Sequence, residues 1–393
     1  MLNLLKEPPP GNLMSSPEAF KYMKYTMILM GWIPPQGGWT ASSIIMSTFI
    51  VAISVVYVPI GVFITFFVEL KTLSPSEALS VLQVALNAMG FPLKLLFFRL
   101  YMWRFYKIEK LLGRMDERCI DSTERSEVHR WVARCNIAYL IYQFIYISYT
   151  ISTFLTATYS GVVPWNIYNP FIDWRESTRN LWIDSVLELM FIIGIVIQTY
   201  MIDVFPLLYG LILRAHIKLL RQRVEKLCLD PSQTDDENNE ELENCIEDHK
   251  LILEYASVIR PVIEPAILVQ FMLVGLVLGI SLINLYLFAD TWAKLAIAAY
   301  IVVQIVQTFP FCYTCDLIRE DCESLAVAIF HSNWKGSSRR YRSSLIYFLQ
   351  NAQRTISFSA GSVFPICLNT NIRVAKLAFS VVTFVKHLGL GSR

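Results

Sequence analysis

The sequence predicts an all-α membrane protein of seven transmembrane helices, on three observations. Only 17% of its 393 residues are charged while 54% are hydrophobic, and the mean hydropathy is +0.45; soluble domains carry roughly 25% charged residues. Apolar runs of about 20 residues, the length that crosses a bilayer as a helix, recur near Ala41–Val68, Ala78–Leu100, Asn136–Tyr159, Val186–Leu213, Pro261–Phe288, Ala293–Cys315 and Arg373–Leu388. Lys and Arg are dense after the even-numbered runs and sparse after the odd-numbered ones. With a net charge of +2 and no basic block interleaved with aromatics, nucleic acid is not an expected partner. Membrane lipid is.

Orientation follows from the basic residues, because cytoplasmic loops retain them. The connection after span two carries Arg104, Lys107, Lys110, Arg114, Arg118, Arg125, Arg130 and Arg134. That after span four carries Arg214, Lys218, Arg221, Arg223, Lys226, Lys250 and Arg260, and that after span six Arg319, Lys335, Arg339, Arg340, Arg342 and Arg354. The other three connections hold only Lys71, Arg175, Arg179 and Lys294. The N-terminus is therefore expected in the cytoplasm and the C-terminus outside, the inverse of a G-protein-coupled receptor. None of the eight cysteines falls in an outer connection and no Asn-x-Ser/Thr sequon occurs, so no structural disulfide is expected.

Residues 1–40 read as a cytosolic N-terminal segment: they show no cleavable signal, and their prolines disfavour a helix anchor. In span two, Lys94 and Arg99 fall in the inner part, where long stems can carry their charges to the headgroups; the alternative is a buried functional pair. Tyr101–Arg134 reads as two charged helices extending spans two and three, and Arg214–Leu229 and Leu242–Arg260 extend spans four and five. Between the latter, DPSQTDDENNEELE reads as a solvated or disordered loop. It has no Gly at the sixth position of an EF-hand loop, so calcium is not expected there. The one sizeable outer connection, Ser160–Asp184, holds Trp165, Tyr168, Phe171, Trp174 and Trp182. These form either an interfacial aromatic belt or a lid over a pocket, its path held by Pro164 and Pro170.

Catalytic chemistry finds no support. The five histidines have no metal-ligand spacing, HExxH and GxSxG are missing, and Cys312-x-x-Cys315 has no second pair. Neither metal nor cofactor is expected. Polar groups within the spans remain. Tyr139, Tyr142, Tyr146, Tyr149 and Thr153 line one face of span three at helical spacing. Ordinary helix packing would explain that face, and so would the wall of a pocket for a small apolar ligand. With alternate spans running in opposite directions, the outer halves of four of them share one space. The candidate ligand-binding residues are Val84, Asn87, Ala88 and Phe91 in span two, and Tyr146, Tyr149, Thr150, Thr153 and Phe154 in span three. Span four adds Met190, Gly194 and Ile197, with Phe191 beside them, and span six adds Tyr300. Ser281, Asn284 and Gln304 could face the same space.

The C-terminal block contains two short amphipathic faces. Leu325, Ala328 and Ile329 form one, and Leu345, Ile346, Phe348 and Leu349 the other, with KGSSRR between them. Both must be buried against something, either the other cytosolic extensions or another subunit. The segment Ala360–Asn371, bearing Pro and Asn, is placed in the same cytosolic assembly. In the final run Asn369, Arg373, Lys376, Ser380, Thr383 and His387 fall on one stripe, so that run faces either a protein partner or water within the membrane. Val374, Leu377, Ala378, Val381, Val382 and Val385 are the apolar residues between.

The inverted topology, the length, PFCYTC (310–315), SLAVAIFHSNW (324–334) and AKLAFSVVTFVK (375–386) together resemble the insect odorant receptor family. The topological likeness covers the whole chain and the motifs about a fifth of it. The resemblance implies a ligand-gated, non-selective cation channel of four subunits, with a small volatile odorant bound in the outer half of the bundle. It implies further that the last helix lines the pore, here through Arg373, Lys376, Leu377, Ser380, Val381, Thr383, Val385 and His387. The coreceptor of that family has a longer second intracellular connection than Arg214–Arg260, so the chain looks like a tuning receptor that forms a heterotetramer with the coreceptor in the plasma membrane of olfactory sensory neuron dendrites. Four copies of Arg373 and Lys376 would suit a cation path poorly, which favours heteromeric assembly. The parts expected are the N-terminal segment 1–40, a six-helix bundle with the odorant pocket over 41–315, a cytosolic anchor over 316–372, and the pore helix with a short tail over 373–393. The competing readings are a gustatory receptor channel assembling by itself and a secondary transporter, although no inverted repeat is visible.

Overall fold

The computed structural model describes residues 13–34, 38–70, 73–289 and 291–387. Lys71 and Leu388 lie outside them, as do residues 1–12 and 35–37 of the N-terminal segment.

A short 3-10 turn, Ser16–Phe20, leads into α1 (Lys21–Leu29). One rod then runs through α2 (Ala41–Ala52), a π-helical turn at Ile53–Tyr57 and α3 (Val58–Glu69). The helices that follow are α4 (Pro75–Leu100), α5 (Trp103–Glu117), α6 (Ser122–Tyr159), α7 (Thr178–Lys226), α8 (Asp235–Ile283), α9 (Thr291–His331), α10 (Arg339–Ala352) and α11 (Leu368–His387). Between the last two sits a small antiparallel hairpin, β1 (Ser359–Ala360) with β2 (Phe364–Pro365).

The helix starts follow from capping chemistry: a side-chain oxygen that accepts a free amide of the first turn fixes where the helix begins. Ser74, Asp121, Ser177, Thr234 and Ser338 do so for α4, α6, α7, α8 and α10. At α4 and α8 a glutamate three residues on, Glu77 or Glu237, bonds back to complete a capping box.

That chemistry corrects the reading of the acidic stretch. Thr234 starts a 49-residue helix at Asp235, and the acidic Asp235, Asp236 and Glu237 sit at its positive N-terminal end. The solvated loop shrinks to the few residues after α7. At about 1.5 Å per residue, α7 and α8 are each roughly 70 Å long, far more than the roughly 30 Å hydrocarbon core of a bilayer. Both therefore project from it as continuous helices. The face at Leu325–Ile329 belongs to α9 itself rather than to a separate helix. Of the second face, Leu345 and Phe348 are buried on α10 while Ile346 is exposed.

Among the described residues, six rods are long and apolar enough to cross a membrane: Ala41–Val68, Pro75–Leu100, Ser122–Tyr159, Thr178–Lys226, Asp235–Phe288 and Lys294–His331. The shorter, more polar α11 is the seventh helix of the bundle and packs on α8 and α9. Its first turn is held by Asp316 of α9, whose Oδ2 accepts the Leu368 amide at 2.9 Å.

The centre is α7. Every residue from Tyr200 to Gly210 is buried, as expected of a helix apolar on all sides. Phe205 packs edge-on against Phe98 and Phe105 and tilted against Tyr209, which stacks on Tyr255. Phe20 closes the cluster at 4.1 Å from the Tyr209 ring, and Met23, Met27 and Trp32 are also buried. The stretch from Ser16 to Trp32 thus contributes to the core. At the basic end, Arg223 joins Glu124 (2.8 Å) and Asp248 (2.6 Å), and Arg118 joins Asp248 at 3.0 Å. The Asp116 carboxylate accepts the Ser16 amide and hydroxyl, each at 2.6 Å. Burial pushes its pKa up, against the opposing pull of the Ser16 hydrogen bonds.

Candidate functional site

A cavity of about 200 Å³ lies between the first six spans, beneath the long connection that joins α6 to α7. Span one lines it with Ser54, Val58 and Pro59, and α4 with Val84, Asn87, Ala88, Phe91 and Lys94. From α6 come Tyr146, Tyr149 and Thr150, and from α7 Ile192, Ile195, Val196 and Thr199. Gln270 and Leu273 of α8 complete the wall with Tyr300, Val303, Gln304 and Gln307 of α9. Close approach of two walls depends on Gly90, where a Cβ would stand 2.3 Å from Leu273 Cδ1.

The roof is Trp165. Its amide and that of Ile167 donate to the two carboxylate oxygens of Glu188 at 2.8 and 2.6 Å, and Val163 and Ile167 are buried. The same connection therefore has two characters. Trp165 turns inward as a lid would, while Phe171 is 92% exposed, as a membrane-interface residue would be.

The floor is charged. Lys94 Nζ lies 2.5 Å from Asp203 Oδ1 and 2.6 Å from Gln270 Oε1. Tyr146 donates its hydroxyl to Asp203 Oδ2 at 2.8 Å, and Gln270 Nε2 donates to Gln307 Oε1 at 2.5 Å. One network thereby ties α4, α6, α7, α8 and α9 together. The snorkelling reading of Lys94 is overturned: only 5% of the residue is exposed. Its stem is six residues short of the helix end, and a carboxylate from the next rod meets it first. Arg99 stays half-buried, with its guanidinium over the Trp32 ring at 5.4 Å.

Of the candidate ligand residues, Val84, Asn87, Ala88, Phe91, Tyr146, Tyr149, Thr150 and Tyr300 surround this cavity, and Asn87 hydrogen-bonds the Tyr300 hydroxyl. Thr153, Phe154, Met190, Gly194 and Ile197 are not among its lining residues. Met190 is 66% exposed, because α7 turns Ile192, Ile195, Val196 and Thr199 inward instead. An apolar helix offers no sequence signal for that rotation. Sequence reasoning missed Gln270 and also Asp203, whose isolated carboxylate within an apolar run was the available signal. Of the three further polar candidates, Gln304 joins the wall. Asn284 bonds Ser76 and Ser80, and Ser281 bonds the Val277 carbonyl.

On α11, Asn369, Arg373, Lys376, Ser380 and Thr383 are exposed, and so are Leu377 and Val381. Ala378 and Val382 are buried, and Val374 and Val385 half-buried. The side chain of His387 lies outside the described residues. All eight cysteines, Cys312 and Cys315 among them, are free.

A sequence profile described as "7tm Odorant receptor" matches residues 74–379. Odorant receptor 98a of Drosophila melanogaster is 54% identical over 395 residues, covering 100% of this chain and 99% of that receptor. Odorant receptor 42b of the same organism is 44% identical, covering 95% and 94%. Among solved structures, the olfactory receptor OR5 of the insect Machilis hrabei superposes with a TM-score of 0.77 at 14% identity, covering 93% of this chain and 97% of that one. The same receptor in complex with eugenol gives 0.75 at 13% identity, covering 95% and 99%. These likenesses set aside the gustatory and transporter readings. They are to receptors and not to enzymes, and the chain belongs to the insect odorant receptor family, as a tuning receptor rather than the coreceptor.

Proposed function

We propose that the chain binds a small volatile in the cavity between its first six spans and thereby opens a non-selective cation channel that it forms with a coreceptor. The observation that carries the reading is the cavity itself: a chamber under Trp165 with a mostly apolar surface and the Lys94–Asp203–Gln270 network at its floor. Such a chamber suits a small, largely apolar molecule with one polar group. The Machilis hrabei receptor of like fold was solved with eugenol, and the profile match spans most of the chain.

In this reading the N-terminus is cytoplasmic, because the basic connections gather at one end of the bundle, and the cavity opens toward the outside. The exposed stripe on α11 faces an ion path, with Arg373 and Lys376 at its cytoplasmic mouth and Ser380, Thr383 and His387 farther out. Leu377, Val381 and Val385 form its apolar constriction. Residues 316–372 take part in the cytosolic anchor between subunits of a heterotetramer, in the plasma membrane of an olfactory neuron dendrite.

The deciding experiment expresses the chain with and without a coreceptor and applies a panel of volatiles. A rapid cation current without added nucleotides, seen only with both subunits, is expected. A current that requires G-protein signalling would overturn direct gating.

A further inference from the structure

The cavity floor presents one charge to the ligand and hides the other. Lys94 lines the cavity, and its Nζ donates to Asp203 Oδ1 and Gln270 Oε1. An ammonium has three protons to donate, so the pair of bonds leaves a third. Asp203 stands behind it, with Oδ2 covered by the Tyr146 hydroxyl. Tyr146 gives its only proton to that carboxylate, and the Tyr300 hydroxyl accepts from the Asn87 amide. The floor that a ligand meets therefore includes a cationic N–H donor, in a cavity whose surface is mostly apolar.

We infer that Lys94 is a specificity-determining residue, and that it selects neutral, mostly apolar volatiles carrying a carbonyl oxygen, the chemistry of ketones, aldehydes and esters. The proposal rests on the reading of this cavity as the odorant site and adds the ligand class. A carbonyl oxygen accepts the remaining N–H in a low-dielectric chamber, where a charge-assisted hydrogen bond is strongest. A hydrocarbon of the same skeleton fills the walls but leaves that donor unmet. A protonated amine brings a second positive charge against the ammonium.

The test uses the full chain with its coreceptor. From a panel of carbonyl volatiles the most potent is chosen and compared with its deoxygenated hydrocarbon and with the primary amine of the same skeleton. The native receptor is expected to respond to the carbonyl compound at about tenfold lower concentration than to the hydrocarbon, the ratio expected for one hydrogen bond to a charged group, and least to the amine. A hydrocarbon as potent as its carbonyl counterpart overturns the proposal.

A second arm replaces the pair together, Lys94→Met with Asp203→Asn, so that no lone carboxylate stays buried; surface labelling checks that the receptor is made. The carbonyl compound should lose about tenfold in potency while the hydrocarbon stays within about twofold. Equal shifts for both ligands would reduce Lys94 to a packing role and overturn the proposal. If the double variant is not displayed at the surface, the comparison of ligands on the native receptor decides alone. Absence of any volatile-evoked current from the native pair instead overturns the reading of the cavity as an odorant site, and the two failures are thereby distinct.

Discussion

Lys94 on α4 and Asp203 on α7 meet at 2.5 Å within the membrane-crossing bundle, with side chains 6% and 3% exposed. A lone charge at bilayer depth costs about 2.5–3.5 kcal/mol on insertion scales. These two offset that cost for each other, Gln270 accepts a second Lys94 proton, and Tyr146 donates to the second Asp203 oxygen. The pair joins α4 to α7 beside the Phe98–Phe205 contact and gives the cavity floor its polarity.

Removing one partner alone strands the other. Asp203→Ala is expected to cost about 3–5 kcal/mol and to abolish most surface display, measured by labelling of intact cells. Replacing both members with neutral side chains should restore much of it. Display of the single variant at native levels would mean that water reaches Lys94.

Two tyrosines one turn apart on α6 should behave differently. Tyr146 bonds Asp203, whereas the Tyr149 ring stands at 6.1 Å from that of Tyr300. Tyr149→Ala should therefore shift odorant potency severalfold at native surface level, while Tyr146→Ala lowers both. Dose–response curves paired with surface labelling separate the cases, and equal loss of display in both would assign Tyr149 to packing.

Glu188 holds the roof through two backbone amides. Glu188→Ala leaves the Trp165 and Ile167 amides without that partner, at about 1–3 kcal/mol each where they stay dry. Slower activation or a potency loss of tenfold or more is expected, with Glu188→Gln intermediate because its amide oxygen keeps one acceptor. Unchanged current kinetics in both would show that the roof does not shape binding.

On α11, Val381 is exposed and Val382 buried. Val381→Ser should change basal leak or relative ion permeability without loss of surface display, whereas Val382→Ser should destabilise the packing on its neighbours. Reversal potentials under bi-ionic conditions make the measurement. Native permeability in Val381→Ser would remove this face from the ion path.

Thiol chemistry offers a check on packing at the basic end. Cys119 is 2% exposed, and burial pushes its pKa up to about 11 despite the nearby Arg223. An acid whose pKa is raised stays protonated below it, and the thiolate is the reactive form. Near pH 8, maleimide should modify the half-buried Cys228 and Cys367 well before Cys119. Mass spectrometry of labelled peptides gives the order, and early modification of Cys119 would show that the Arg223 cluster opens.

The long apolar rods and the polar stripe on the last helix were legible in the sequence. Hydropathy, charge bias and helical spacing are properties of one chain segment read against its solvent. Span one begins and ends where its apolar run does, and Tyr146 and Tyr149 share a face because the helical repeat requires it. The start of α8 was legible too, in Thr234 and Glu237, but the acidity of the stretch hid its capping box. Other features depend on pairs of segments. An apolar helix such as α7 gives no sign of which side faces inward, so Ile192 and Ile195 could not be told from Met190 and Gly194. Lys94 could equally have reached the headgroups until Asp203, 109 residues away, was brought beside it. The sequence alone determined which segments are long and apolar enough to span a membrane and which are amphipathic, because hydrophobic transfer and backbone hydrogen bonding act locally. Only the tertiary structure decided the rotation of each helix, the burial of the N-terminal segment and the charge at the cavity floor, because these arise when distant segments exclude water between them.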